Sequence, residues 1–348
     1  MIVRRANEIF CKRSEIRKTC RLRFVDSQVL MRDLGHPIVI RCGYGPPTGE
    51  SPLYMQNLIE QLCSEADQII GPNSPFVKSI TSQQPPDRIY HYTNDVGLKG
   101  ILESGKLWLT EINSLNDPSE LNHGFRVAIK ELKEMVINEP KESQIFTHDL
   151  EIIAAKETIQ KSADFFICSF SQCGDDLGQW RAYADNGRGF ALGFDAAALE
   201  YGSILDSFPL TYDDDKLAEI DREIITKMLY YTRLPNYKDD LSIAFMTYVT
   251  NAAIFFKHPA YRSEKEYRFI ETFRSNTLPS VNLRARRNTL IRYREFDWRT
   301  VAPCAFKEIV VGPVDQGNSS RFANECLRLH PNSQIVPIVP SSIPYKAF

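Results

Sequence analysis

Residues 88–109 constrain the fold most, because their hydrophobic period changes from strand to helix and back again. Residues 89–93 form an apolar, aromatic run that suits a pleated, half-buried strand. Three apolar residues then recur at the spacing of one helix face: Leu98, Ile101 and Leu102. Gly105 suits a helix C-cap, and residues 106–109 return to a strand pattern. The sequence therefore predicts a strand, a short helix and a second strand.

The first of these strands carries side chains that can bind a ligand. His91 and Thr93 share one side of the strand, and Tyr92 points to the other. A histidine beside a hydroxyl at a strand end can hold a polar ligand, with aromatic surface close by. The alternative is a core histidine that bonds a backbone carbonyl, and these residues alone leave both interpretations open.

Length and composition limit the class of protein. A chain of 348 residues predicts one large domain, or one domain with an extension. The net charge of −2 gives no general reason to expect a nucleic-acid or membrane partner. No apolar run approaches the roughly 20 residues that span a bilayer, and the charged N-terminus lacks a signal-peptide pattern. We therefore expect a cytoplasmic protein without a membrane partner.

The eight cysteines are scattered, and no Cys-x-x-Cys pair occurs. This spacing argues against a zinc site, so the sequence predicts no metal. Without an export signal, we expect these cysteines to be reduced thiols.

The sequence divides into three parts. Residues 1–50 form a basic extension: up to Arg41 it holds ten basic and four acidic residues, a local net charge of +6. Such an arm can bind nucleic-acid phosphates, or it can be a loosely ordered extension. Residues 51–87 predict a helix and a linker rich in Pro, Ser and Gln. Residues 88–348 predict a single α+β domain.

A helix start follows the second predicted strand. Asp117 suits the N-cap, Pro118 the first helical position, and Glu120 completes a capping-box pattern. Alternatively, Asn116 or Asp117 also lines a site, because a helix N-terminus offers free N–H groups to an anion.

Three further segments carry polar or aromatic side chains that suit a site. Ser169 and Ser171 share one face of a clear strand, where they can bind a ligand or brace a sheet. Trp180 and Tyr183 are spaced i, i+3 on a short helix, which is most often a packing pattern.

The third segment is a late strand. It places Glu264, Glu266 and Arg268 on one face, as a surface ladder or as a site carboxylate kept ionised by a cation. Helices and strands alternate irregularly along the chain. The predicted class is therefore α+β, with a split, largely antiparallel sheet flanked by helices.

The motifs together resemble an uncharacterised bacterial family, domain of unknown function 2971, over roughly residues 88–272. The matching pieces are His91-Tyr92-Thr93, Trp108, Leu115-Asn116-Asp117-Pro118 with Glu120, Cys168-Ser169-Phe170-Ser171, Trp180 with Tyr183, and Glu264-x-Glu266-x-Arg268.

More distantly, the order of His, Ser and Glu on successive strands is similar to that of ADP-ribosyltransferases, which implies their fold and NAD as a substrate. By that resemblance His91 would orient the adenosine-side ribose, with Thr93 beside it. Ser169 or Ser171 would brace the site.

The same resemblance implies the remaining roles. Tyr183 or Trp180 would stack on nicotinamide, Glu266 would be the catalytic carboxylate, and Glu264 would engage the acceptor, although the two glutamates could exchange roles. The implied NAD-binding set is His91, Tyr92, Thr93, Asn116, Asp117, Ser169, Ser171, Trp180, Tyr183 and Arg268.

These expectations describe an ADP-ribosyltransferase or NAD glycohydrolase, with a toxin or phage-defence effector among the roles implied. These expectations do not decide whether the acceptor of ADP-ribose is a protein or a nucleic acid. Two alternatives also remain. One is a non-catalytic nucleotide- or nucleic-acid-binding module on the same fold. The other is a metal-free hydrolase or nuclease that uses His91 as a base together with Glu266.

Overall fold

A computed structural model describes residues 61–346, apart from residues 63, 72, 116–119, 138–162, 233–237, 275–279, 287 and 330–335. The predictions for the basic extension at residues 1–50, and for Asn116 and Asp117, therefore fall outside the described residues.

A ten-stranded sheet forms the centre of the described chain. Its strands are β1 (Ile89–Thr93), β2 (Leu107–Glu111), β3 (Ala163–Ser171), β4 (Phe190–Phe194), β5 (Asp206–Pro209), β6 (Glu266–Arg274), β7 (Asn282–Arg286), β8 (Thr289–Phe296), β9 (Phe306–Val311) and β10 (Ile338–Pro340).

Helices cover both faces of this sheet. They are α1 (Pro75–Thr81), α2 (Asp95–Ser104), α3 (Glu120–Met135), α4 (Leu177–Tyr183), α5 (Ala196–Gly202), α6 (Asp214–Thr232), α7 (Lys238–Ala253), α8 (Trp298–Val301) and α9 (Gln316–Leu327). Short 3₁₀ helices span Ile112–Ser114, Asp185–Gly187 and Pro259–Glu264. No helix among the described residues is long and apolar enough to cross a membrane.

The sheet is largely antiparallel. Its main order is β10-β9-β4-β1-β3-β2-β8-β7, and β6 pairs with β3 and β5. Among these named strands, β9 and β10 form the parallel pair. The predicted mixed class, with a largely antiparallel sheet flanked by helices, is confirmed.

The strand–helix–strand unit predicted for residues 88–109 is also present, as β1, α2 and β2. All three residues of the predicted helix face are buried: Leu98, Ile101 and Leu102. Gly105 ends the helix at φ 73°, in the left-handed region that favours glycine. Local periodicity and turn chemistry are sufficient to specify this unit.

The sheet divides next to β3. One edge of β3 pairs with β6 from Ala163 to Ser171. On the opposite edge, β1 pairs at Ser171 and β2 pairs at Phe166 and Ile167. A strand has only two edges, so β1 and β2 share this one and diverge along it. The described strand pairings therefore leave a gap on this edge of β3, between Ile167 and Ser171.

The two faces of the sheet have different coverings. α3, α6 and α7 pack over a core that includes Phe165, Ile167 and Ile270. On the other face, a second core includes Phe166, Cys168 and Phe170, together with residues of α2, α5, α8 and α9. Because side chains alternate along a strand, Ser169 and Ser171 continue the Ile167 face. That face therefore becomes polar where the sheet divides.

A segment late in the chain fastens the start of α4. Asp175 Oδ1 accepts hydrogen bonds from Trp180 Nε1 at 2.7 Å and from Ser341 Oγ at 2.5 Å. Asp175 Oδ2 accepts bonds from the backbone N and the Oγ of Ser342, both at 2.8 Å. Trp180 also packs edge-on against Tyr92, with ring centroids 4.8 Å apart. One carboxylate thus joins α4 to the segment after β10.

Candidate functional site

A cavity of about 190 Å³ lies where β1 and β2 diverge. Residues of β1, β2, β3, α4, β6 and β7 line it. Seven residues predicted for the site line this cavity: His91, Tyr92, Ser169, Ser171, Tyr183, Glu264 and Glu266. The structure thus brings together residues from strands far apart in the sequence.

Glu266 lines the cavity and is only 3% exposed. Its Oε1 accepts hydrogen bonds from Ser169 Oγ at 2.6 Å and from Arg268 Nε at 2.9 Å, and Arg268 Nη2 forms an ion pair with the same oxygen, also at 2.9 Å. Its Oε2 accepts a bond from Lys257 Nζ at 2.8 Å. Charged donors therefore hold both carboxylate oxygens in one orientation.

This environment keeps Glu266 ionised. Burial alone would raise the pKa of its carboxyl, but the charges of Arg268 and Lys257 and the bonds from Lys257 and Ser169 outweigh burial and lower the pKa to about 2. Glu266 is consequently an anion throughout the physiological pH range. Such a group can stabilise a positive charge but has no proton to donate.

The lowered pKa of Glu266 predicts a loss of stability in acid. Because the folded-state pKa lies below the ordinary value of 4.5, the stabilisation is fully present above about pH 4.5 and is lost as the pH falls towards 2. We expect the free energy of unfolding, measured with urea across this range, to fall by a few kcal/mol more in wild type than in Glu266→Gln. Identical pH profiles for the two proteins would contradict the assignment.

Glu264 joins the same cluster by a different route from that predicted. The prediction that it lies in the same strand as Glu266 is wrong: β6 begins at Glu266, and Glu264 ends a 3₁₀ helix. Lys265 between them has φ 45°, which breaks the strand geometry. Even so, Glu264 Oε2 accepts a bond from Lys257 Nζ at 2.7 Å. Lys257 thus bridges the two glutamates.

Tyr183 and Ser171 fix the position of Glu264. The Tyr183 hydroxyl donates to Glu264 Oε1 at 2.8 Å. Ser171 Oγ donates to the backbone oxygen of Glu264, also at 2.8 Å. The ring of Tyr183 therefore stands at the cavity in a set orientation.

His91 combines the two interpretations that its sequence context left open. Its Nδ1 lies 3.2 Å from the backbone oxygen of Ser169, and the residue also lines the cavity. Burial lowers the pKa of His91, outweighing this backbone contact, so the ring is neutral. A carbonyl oxygen only accepts, so Nδ1 carries the hydrogen and Nε2 is left as an acceptor. The neutral ring can therefore accept a hydrogen bond at Nε2, and it also packs edge-on against Phe170, with ring centroids 5.7 Å apart.

The remaining predicted residues lie away from the cavity wall or outside the described chain. Trp180 of α4 is fully buried, and neither it nor Thr93 lines the cavity. Arg268 contacts the site through Glu266. Asn116 and Asp117 are not described, although Leu115 just before them lines the cavity.

Sequence reasoning missed three cationic residues of this cavity: Lys257, Arg284 and Arg286. Lys257 follows α7 and meets Glu266 nine residues later, a separation that fits neither the helix nor the strand period. The arginines alternate on β7, which is the pattern of one strand face. That alternation was the sequence signal that could have placed both arginines on one face of a strand.

The described residues contain no group of three or more His, Cys, Asp or Glu side chains placed to hold a metal ion. The polar groups of the cavity are instead paired carboxylates and cations, with a neutral imidazole and several hydroxyls. Such a set can bind a polar organic ligand and can present a fixed negative charge to it.

Comparison with known protein families finds an uncharacterised family. A family model described as "Protein of unknown function (DUF2971)" matches residues 179–269. This segment contains the Tyr183, Lys257, Glu264 and Glu266 cluster, whereas His91 and Ser169 precede it. No curated protein and no solved structure gives a significant match. The comparisons therefore place part of the site in a segment similar to an uncharacterised protein family.

Proposed function

We propose that the protein cleaves the bond between nicotinamide and ribose in NAD, as an ADP-ribosyltransferase or an NAD glycohydrolase. One observation carries this proposal: an ionised Glu266 held by Ser169 of the neighbouring strand, at the place where the sheet divides. The distant resemblance to ADP-ribosyltransferases points the same way, since a middle-strand serine braces the site there and a late-strand glutamate contacts the ribose.

The chemistry favours a fixed carboxylate. Breaking a glycosidic bond of this kind passes through a transition state with oxocarbenium character, so positive charge develops on the ribose. An oriented anion interacts more strongly with that charge than with the uncharged sugar of the ground state. Glu266 meets this requirement because it stays ionised while buried.

The neighbouring residues supply binding and orientation. His91 Nε2 is available to accept from a ribose hydroxyl, and the ring of Tyr183 offers an aromatic surface to nicotinamide. Glu264 lies beside Glu266 through their shared Lys257 and would face the acceptor. Ser169 positions the catalytic carboxylate.

The direct test is nicotinamide release from NAD by the purified full chain, followed by chromatography. We expect release in proportion to protein, either with water alone or after addition of a cell extract that supplies acceptors. Labelled ADP-ribose appearing on a macromolecule would identify a transferase, and free ADP-ribose a glycohydrolase. A folded protein that releases no nicotinamide under either condition would contradict the proposal.

Removing the Ser169 hydroxyl tests how Glu266 is positioned. Ser169→Ala should lower kcat for nicotinamide release by about tenfold to a hundredfold, because a hydrogen bond to a charged group is lost. KM should change much less, since Ser169 acts through Glu266. Ser207→Ala is the matched control: its Oγ donates to Glu200, and Ser207 does not line the cavity. Equal kcat values in the two variants would refute this role.

A second candidate is a non-catalytic nucleotide-binding module. The observation in its favour is that cations already engage both oxygens of Glu266. NAD binding by calorimetry, weakened in His91→Ala and with no product formed, would favour this candidate.

A further inference from the structure

An aromatic and cationic surface continues outward from the cavity along β2, β8 and β7. Trp108 and Tyr293 lie on adjacent strands, with ring centroids 4.6 Å apart. The guanidinium of Arg284 lies 5.0 Å from the centroid of the Trp108 ring. We call Trp108, Tyr293, Arg284 and Arg286 the Trp108 surface. Trp108 is 45% exposed, so its ring remains accessible to a ligand.

The Trp108 surface and Glu266 share one face of the sheet. Trp108 and Thr110 have the same strand parity, and Thr110 lies opposite Ile167, whose face continues to Ser169. Trp108, Arg284 and Arg286 line the same cavity as Glu266. A ligand on this surface would therefore lie next to the proposed reaction centre.

The arginines of this hairpin are divided between the two faces. Arg292 and Arg294 of β8 point to the opposite face, where they pair with carboxylates: Glu111, Asp164 and Glu271. On the cavity face, Arg284 contacts the hydroxyl of Thr110 at 3.3 Å and the Trp108 ring.

One donor of Arg284 remains unmatched. Its buried Nε has no hydrogen-bond partner among the described atoms. Buried donors are nearly always paired in folded proteins, so this guanidinium has hydrogen-bonding capacity that the described protein atoms do not use.

We propose that the Trp108 surface binds a single-stranded nucleic acid, with one base stacked on Trp108 and the adjoining phosphates contacted by Arg284 and Arg286. Stacking requires a base that is free of its duplex partner, which favours single strands. Arginine guanidinium groups match phosphate oxygens in geometry and charge. That this nucleic acid is also the acceptor of ADP-ribose rests on the proposed function.

Fluorescence anisotropy with labelled oligonucleotides tests the binding. The full chain is titrated into mixed-sequence single-stranded RNA, single-stranded DNA and a DNA duplex. We expect tighter binding to a single strand, and Trp108→Ala should weaken it by about tenfold, whereas Trp108→Phe, which keeps a ring, should weaken it less. Arg284→Gln with Arg286→Gln should weaken binding and reduce its salt dependence.

The matched control is Arg328→Gln at the end of α9, whose side chain is 78% exposed and does not line the cavity. Because all variants retain the basic residues 1–50, any binding through that segment is common to them. Circular dichroism melts confirm that each variant is folded.

Three results would overturn the inference: no binding to any oligonucleotide, equal binding after Trp108→Ala, or an equal loss in Arg328→Gln. A Trp108→Ala protein with a raised KM for NAD but unchanged oligonucleotide binding would assign the surface to the dinucleotide instead. Nicotinamide release is measured in parallel, with water alone and after addition of a cell extract that supplies acceptors. Oligonucleotide binding without nicotinamide release would support this inference and contradict only the proposed enzymatic activity.

Discussion

Replacing Glu266 with glutamine is expected to lower kcat for nicotinamide release by about a hundredfold to a thousandfold. The amide keeps the size of the side chain and an oxygen for Ser169 and Arg268. It removes the negative charge, however, and with it the differential stabilisation of a positively charged transition state. NAD binding should change far less, because the charge matters most when the bond is breaking.

The control for this variant must account for stability, because Glu266→Gln leaves Lys257 and Arg268 with one anion fewer in a buried place. Glu131→Gln is the matched change. Glu131 is also buried and accepts a bond from Arg222 at 2.8 Å, but it does not line the cavity. Both variants are assayed at a temperature where each is folded. Full activity in Glu266→Gln, or equal losses in both, would contradict the catalytic role.

Replacing Arg268 with methionine is expected to lower the free energy of unfolding by about 3–5 kcal/mol. Arg268 is 1% exposed and makes two contacts to Glu266 Oε1. Its removal leaves a buried carboxylate with less compensation, and the apolar replacement restores none of it. Since domains are stable by only about 5–15 kcal/mol, this loss should be evident in a urea unfolding curve.

Arg328→Met is the control for Arg268→Met. Arg328 pairs with Glu325 at 3.2 Å on an exposed helix end, and such a pair contributes at most about 1 kcal/mol. The double variant Arg268→Met with Glu266→Gln completes a thermodynamic cycle. Its loss should be smaller than the two single losses added, because the residues are in contact. Additive losses, or a cost below about 1 kcal/mol for Arg268→Met, would show that the pair is not a buried unit.

The sequence was most informative where neighbours along the chain decide the structure. The unit of β1, α2 and β2 follows from the hydrophobic period and a left-handed glycine, both of which are local. The shared face of Ser169 and Ser171 likewise follows from strand parity. These features required no knowledge of how distant strands pair.

Prediction failed where a single residue interrupts a regular pattern. The alternation that includes Glu264, Glu266 and Arg268 suits a strand, and it holds from Glu266 onwards. Before Glu266 the alternation is interrupted by Lys265, whose backbone is left-handed and which follows a 3₁₀ helix that begins at Pro259. Nothing in the identity of a lysine indicates a positive φ, so the break lies beyond a pattern-based argument.

The composition of the cavity depended on contacts between distant segments. Trp180 and Tyr183 lie three residues apart on one short helix, yet Trp180 is buried against Tyr92 and Tyr183 lines the cavity. Only the docking of α4 on the sheet separates these two roles. The meeting of Lys257 with Glu266 likewise depends on how α7 leads into β6.

The fastening of α4 by Asp175 has a consequence for synthesis of the protein. Asp175 bonds to Ser341 across a separation of 166 residues, and Tyr183 on the same helix forms part of the cavity wall. Because a chain is made from its N-terminus, β1, β3 and β6 leave the ribosome before that bond can form. The bond that holds α4 therefore forms only after Ser341 has been made, and a nascent chain carries Glu266 before the pocket around it is complete.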